Sequence, residues 1–170
     1  MLWFDRRQVL SALAAGITLL ATLSACGFTP VYGPDGAGNQ VLGQIAFSAP
    51  ETVNEYSYTK RLEERMGRSS GPYHLDSTLS VSEQSLGNTS SGETTRIRLN
   101  GIVSYSLTTV SDDSVVMSGS SRAFTSYSFT GSTAATQAAE RDAHERLMII
   151  LADQVIDNLL LQADTLTGAQ

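Results

Sequence analysis

One cysteine, two histidines and two arginines spaced two apart are the residues of this 170-residue chain whose types and spacing could do chemistry. Nucleophilic catalysis by serine needs the hydroxyl on a sharp, exposed turn beside a positioned base, and no Gly-x-Ser-x-Gly occurs. His74 falls on the polar side of a predicted strand and His144 on a long predicted helix, so both read as solvated surface. No His-x-x-x-His and no cluster of acids at loop spacing is present, and no metal or other cofactor is expected. Glycine-rich phosphate loops are absent, since the glycines sit in linker and turn positions. No catalytic residue emerges, and the chain is not expected to be an enzyme.

The arginines are more informative. Arg96 and Arg98 share one face of a strand beside the segment 87–93. Arginine pairs with phosphate through a planar two-pronged fork, so the pair forms a small candidate anion contact. The same residues could equally serve as solvated charge that protects a sheet. Arg122, on the next strand, is expected opposite Val103, too far along to join them. Lys60, Arg61 and Arg65 are expected to pair with Glu63 and Glu64 on one helix face.

Cys26 closes the run Leu23-Ser24-Ala25-Cys26, which has the pattern of a lipoprotein processing site. Ahead of it lie a basic start at Arg6-Arg7 and an apolar stretch from Val9 to Leu23, the parts of an export signal. That stretch is about 15 residues, short of the roughly 20 needed to span a bilayer as a helix. Arg6-Arg7 also resembles a twin-arginine signal, which leaves the export route open between that and the general secretory path. The expected organisation is a signal peptide over 1–25, a lipidated tether over 26–40, one folded domain over 41–162 and a flexible tail over 163–170. A lone thiol permits no internal disulfide, and acylation of Cys26 accounts for it.

Charge narrows the partners. The chain has 11 basic and 17 acidic residues, and removing residues 1–25 takes away two of the former and one of the latter, leaving 9 against 16. That balance argues against nucleic acid, which is held by neutralising phosphates.

The elements that must position these residues follow from periodicity. A short strand is expected over 41–47 and a helix over 51–66, with Tyr58, Leu62 and Met66 on its buried stripe and Gly67 past its end. Alternation then predicts strands over 73–86, 94–110 and 115–129, with a mobile loop over 87–92, a bend at Asn100-Gly101 and a tight turn at Ser111–Ser114. The last of these strands is rich in serine. A long helix over 133–162 closes the chain, with Ala139, Ala143, Leu147, Ile150 and Leu151 on one stripe. The predicted fold is α+β: a four-stranded, mostly antiparallel sheet with two helices packed on one face, in the order β-α-β-β-β-α.

The stretch Cys26-Gly27-Phe28-Thr29-Pro30-Val31-Tyr32-Gly33 resembles the mature N-terminus of the LPS-assembly lipoprotein LptE family in its alphaproteobacterial form. Ile45-Ala46-Phe47, Arg61-Leu62-Glu63 and Ala139-Glu140-Arg141-Asp142-Ala143 fit the same pattern, so the resemblance covers about residues 26–162. It implies a lipoprotein on the periplasmic side of the outer membrane that plugs the β-barrel of LptD and assists insertion of lipopolysaccharide. It also implies lipopolysaccharide contacts through basic residues of the sheet, for which Arg96 and Arg98 are the candidates. An auxiliary lipoprotein of a lipid-trafficking ABC system is the alternative.

Overall fold

Strict alternation of apolar and polar residues in the central strands dictates a sheet with one greasy and one polar face. The structure, a computed structural model, describes residues 37–68, 70–88, 94–129 and 132–163. Cys26, the export signal and the motif that follows it lie outside the described residues.

The elements in order are α1 (Ala37–Val41), β1 (Ile45–Phe47), α2 (Val53–Met66), β2 (Tyr73–Asn88), β3 (Thr94–Thr109), β4 (Val115–Ser128) and α3 (Thr133–Leu161). The sheet order is β1-β2-β3-β4; β1 runs parallel to β2 and the other pairs are antiparallel. The α+β fold with its β-α-β-β-β-α order is as expected, and the one parallel pair makes the sheet mixed. One local element differs. Val41 and the residues just before it form the short helix α1, and the first strand is confined to Ile45–Phe47. Val41 and Ile45 are both buried, so this entry segment already belongs to the core.

The core lies between the sheet and the helices. Leu75, Ile97, Leu99, Val103, Tyr105, Leu107, Met117 and Tyr127 supply the sheet side. Ala143, Leu147, Met148, Leu151, Ala152, Val155, Ile156 and Leu159 supply α3. At 1.5 Å per residue α3 extends about 44 Å, close to the roughly 50 Å of a 16-residue strand, so one helix covers the long strands end to end. Ile150, expected on the buried stripe, is exposed, because the contact face follows Leu147, Leu151 and Val155 and turns away from it.

The bend expected at Asn100-Gly101 is absent. Pairing runs unbroken through both residues, and the register shifts instead beyond Ser85 and between Leu107 and Thr108. Gly101 has a different reason to be glycine. A Cβ there would lie 2.9 Å from Leu151 Cδ1 and 3.0 Å from Leu147 Cδ2, so the missing side chain lets α3 sit directly on β3.

Helix α2 begins at a capping box. Thr52 accepts from Glu55 N–H at 3.2 Å while Glu55 Oε2 accepts from Thr52 N–H at 3.1 Å, satisfying donors that the first turn leaves free. Its stripe of Tyr58, Leu62 and Met66 is buried as expected, but it leans mainly on α3 and touches β2 through the Tyr58 hydroxyl, 3.2 Å from Ser77 Oγ. Ser132 occupies the N-cap position of α3 without a side-chain capping bond. Past the helix, Ala163 is buried in the core although it opens the segment expected as a tail, and residues 164–170 lie outside the described residues. Most of the expected 87–92 loop does too.

Candidate functional site

Because successive strand residues point to opposite faces, everything even-numbered in β3 is turned away from the core. The helices cover the other face, so this one is open. It carries Asp76, Thr78, Ser80 and Ser82 from β2, Ser104 from β3 and Ser118 and Ser120 from β4, all exposed. Hydroxyls satisfy themselves with solvent or with any polar partner, which makes such a face wettable and adaptable.

Arg96 and Arg98 lie at one end of this face, as the alternation requires. Arg96 donates from Nε and Nη2 to Ser126 Oγ at 3.2 and 3.1 Å. The Arg98 guanidinium lies 4.6 Å from the centroid of the Phe124 ring, a cation–π contact, and its Nε is buried without a hydrogen-bond partner. Phe124 itself is 63% exposed, unusual for a large aromatic on a strand. Among the described residues no carboxylate lies within ion-pair distance of Arg96, Arg98 or Arg122. Arg122 is on the same face, paired opposite Ile102, one residue from the expected register. It sits four strand positions from Ser126, about 13 Å away, and so stands outside the Arg96–Arg98 group as expected.

The basic residues of α2 are differently placed. Lys60 and Arg61 lie 3.8 Å from Glu64, as the helix spacing predicts. Arg61 also reaches across to α3, donating from Nε and Nη2 to the two oxygens of Asp153 at 2.9 and 3.2 Å, and Arg65 donates to the same carboxylate at 3.1 Å. Glu63 pairs with Arg68 instead. Burial would raise the Asp153 pKa, but the hydrogen bonds and charge of the two arginines outweigh it and hold the carboxyl below its ordinary value. The bonds to Asp153 tie α2 to α3, and the remaining pairs are local to α2 and its C-terminal end.

The structure does assemble a serine, a histidine and an aspartate at the β1 exit. Ser48 Oγ lies 3.1 Å from His74 Nε2 and donates to Asp76 Oδ1 at 2.6 Å. Asp76 approaches that same ring nitrogen, at 3.4 Å, and not Nδ1. In a nucleophilic triad the carboxylate holds the far nitrogen so that the near one accepts the serine proton. Here the serine proton goes to the carboxylate directly, and the arrangement is not that of a relay. Beside it, a cleft of about 310 Å³ between α2 and β2 is lined by Phe47, Pro50, Tyr58, Leu62 and Leu75 together with Glu51, Glu55 and Asp76. Glu55 is engaged by the N–H groups of the helix cap and Asp76 by the Ser48 hydroxyl.

One grouping had no counterpart in the sequence reading. Glu140 and His144, one turn apart on α3, meet Glu83 from β2, with one donor atom of each within 4.8 Å of the others. The Glu-x-x-x-His spacing on a helix was a visible half of the signal; Glu83, 57 positions earlier, could be added only by the fold.

The fold and site define an α+β domain whose helices shield one face of a long-stranded sheet while the other presents hydroxyls and an arginine–aromatic patch. A family model for LptE, lipopolysaccharide-assembly, matches residues 42–159, and the chain belongs to that family. Solved structures share the fold. A chain of Caulobacter crescentus CB15 described as a lipoprotein is 22% identical with a TM-score of 0.62, covering 76% of this chain and 98% of its own. A minor lipoprotein of Acinetobacter baumannii is 16% identical with a TM-score of 0.54, covering 72% and 93%. Rare lipoprotein B of Shewanella oneidensis is 14% identical with a TM-score of 0.50, covering 74% and 95%. No curated protein matches the chain.

Proposed function

We propose that the chain is a non-enzymatic lipoprotein of the outer membrane, held on the periplasmic side by lipid on Cys26, that plugs the LptD barrel and assists lipopolysaccharide insertion. The observation that carries this reading is the lipopolysaccharide-assembly family match over residues 42–159. The open face supports it: a hydroxyl-rich surface suits a wet, polar barrel interior without demanding a matched apolar partner. A cation beside an exposed ring, as at Arg98 and Phe124, suits an amphiphile that carries phosphate next to hydrocarbon. Arg96 and Arg98 are the proposed contacts.

Lipopolysaccharide binding by purified variants tests the patch. Arg96→Asp with Arg98→Asp is expected to weaken binding at least tenfold while copurification with LptD is kept. Arg96→Asp alone, at an exposed position, is expected to weaken it in part, and a thermal melt confirms that the fold is intact. Unaltered binding in a folded double variant would refute the patch. For the role itself, depletion of the chain is expected to strand lipopolysaccharide in the periplasm.

A further inference from the structure

We propose that Glu83, Glu140 and His144 form a site for a first-row divalent cation such as Zn²⁺, clasping the far end of β2 to the early turns of α3. It goes beyond the proposed role in lipopolysaccharide assembly and stands independently of it.

The three side chains share an odd situation. Glu140 and His144 project from one helix face by their spacing of four, and Glu83, paired with Leu99, comes from the core-facing register of β2. Among the described residues neither glutamate pairs with a lysine or arginine. Their one ionic neighbour is His144, whose Nε2 is 3.9 Å from Glu83 Oε1, too far for a hydrogen bond. Its Nδ1 is buried and has no partner. Two carboxylates are thus gathered around an imidazole that bonds to nothing in the described protein. Close like charges are unfavourable without a compensating positive charge.

A divalent cation supplies the compensating charge and gives the imidazole a partner. Two carboxylates and one neutral imidazole give a net neutral complex and the mixed oxygen and nitrogen donors that zinc accepts. Bonds of about 2.0–2.2 Å at tetrahedral angles place donors roughly 3.4 Å apart. The present separations, within 4.8 Å, close to that with side-chain rotations alone, because Glu83 is exposed and Glu140 only half-buried. The carboxylates already act on their surroundings: burial first, then the charges of Glu83 and Glu140, raise the pKa of the Tyr127 phenol.

Isothermal titration of the full chain in detergent with Zn²⁺ tests the site. One equivalent is expected to bind and to raise Tm. Glu83→Gln, Glu140→Gln and His144→Asn are each expected to weaken binding roughly tenfold or more. His74→Ala, in the other histidine–carboxylate pair, and Cys26→Ser, lacking the thiol, are expected to bind as the wild type does. Glu83→Gln changes an exposed residue, so its effect is readable even if His144→Asn folds poorly. Absence of binding at millimolar Zn²⁺ would overturn the proposal, as would binding that Glu83→Gln leaves unchanged or Cys26→Ser abolishes. Ca²⁺ binding as tight as Zn²⁺ and indifferent to His144→Asn would assign the carboxylates alone and overturn the mixed site.

Discussion

Gly101→Ala should destabilise this domain, and the sign of that effect carries the argument. In a strand interior alanine is ordinarily better than glycine by about 0.5–1 kcal/mol, because glycine loses more backbone freedom on folding. Here the added methyl would lie 2.9 Å from Leu151 Cδ1 and 3.0 and 3.1 Å from the two Leu147 methyls. Ordinary carbon contacts are about 3.5–4.0 Å, so three core atoms must each retreat by roughly half an ångström or more. Overpacking of this kind costs about 1–3 kcal/mol, which leaves a net loss centred on about 1 kcal/mol and at most about 2.5 kcal/mol. At roughly 4 °C per kcal/mol, Tm falls by about 4–5 °C at the centre of that range and by about 10 °C at its limit. Leu151→Ala alone should cost about 2–5 kcal/mol, since the side chain is fully buried. In the double variant the new methyl occupies part of the space that Leu151 vacates. Its loss should therefore fall short of the sum of the single losses by 0.5 kcal/mol or more, within the roughly 0.5–3 kcal/mol range of contacting residues. Urea unfolding followed by far-ultraviolet circular dichroism measures all three. Stabilisation by Gly101→Ala, or strict additivity in the double variant, would refute the seating of α3 on β3.

Further outcomes follow from the same contacts. Thr52→Ala removes the capping box of α2 and should cost about 1 kcal/mol, read in the same urea assay; an unchanged midpoint would mean that the cap is not formed. Tyr58 is 2% exposed and burial pushes its pKa up to about 12, with the Ser77 hydrogen bond acting the other way. Its contribution is complete below the unfolded value of about 10 and is lost as pH rises through 12, so Tyr58→Phe should flatten the alkaline limb of stability against pH. Asp153 has a depressed pKa in the fold, so its contribution is present above the unfolded value of about 3.9 and is lost as pH falls from there through the folded value. Asp153→Asn should lower Tm at neutral pH and weaken the acid limb; superimposable limbs would contradict the Arg61–Asp153–Arg65 tie.

The sheet was legible in the sequence because period-two alternation is a local signal, and Leu99, Val103, Tyr105 and Leu107 all fall where it puts them. The exposure of Ile150 was not, since which side of a long amphipathic helix meets the sheet depends on the partner surface. Gly101 shows the same limit: a glycine inside a strand pattern signals either a bulge or a close approach, and only the position of α3 decides between them. Arg61 and Arg65 had acids at helical spacing, yet Asp153 on another helix holds them, a contact no local spacing encodes. For the site, the Arg96–Arg98 pairing was visible as an i, i+2 relation, whereas Phe124 and the unpaired Nε required the β3–β4 register. Glu83 joining Glu140 and His144 is long-range for the same reason.

The central claim concerns a partner, and purification of the chain from gently solubilised envelopes tests it most directly. The chain, tagged at its C-terminus, is expected to elute in a stable one-to-one complex with LptD, and Arg96→Asp with Arg98→Asp should leave that complex intact. Recovery of the wild-type chain as a monomer with no barrel attached would contradict the account.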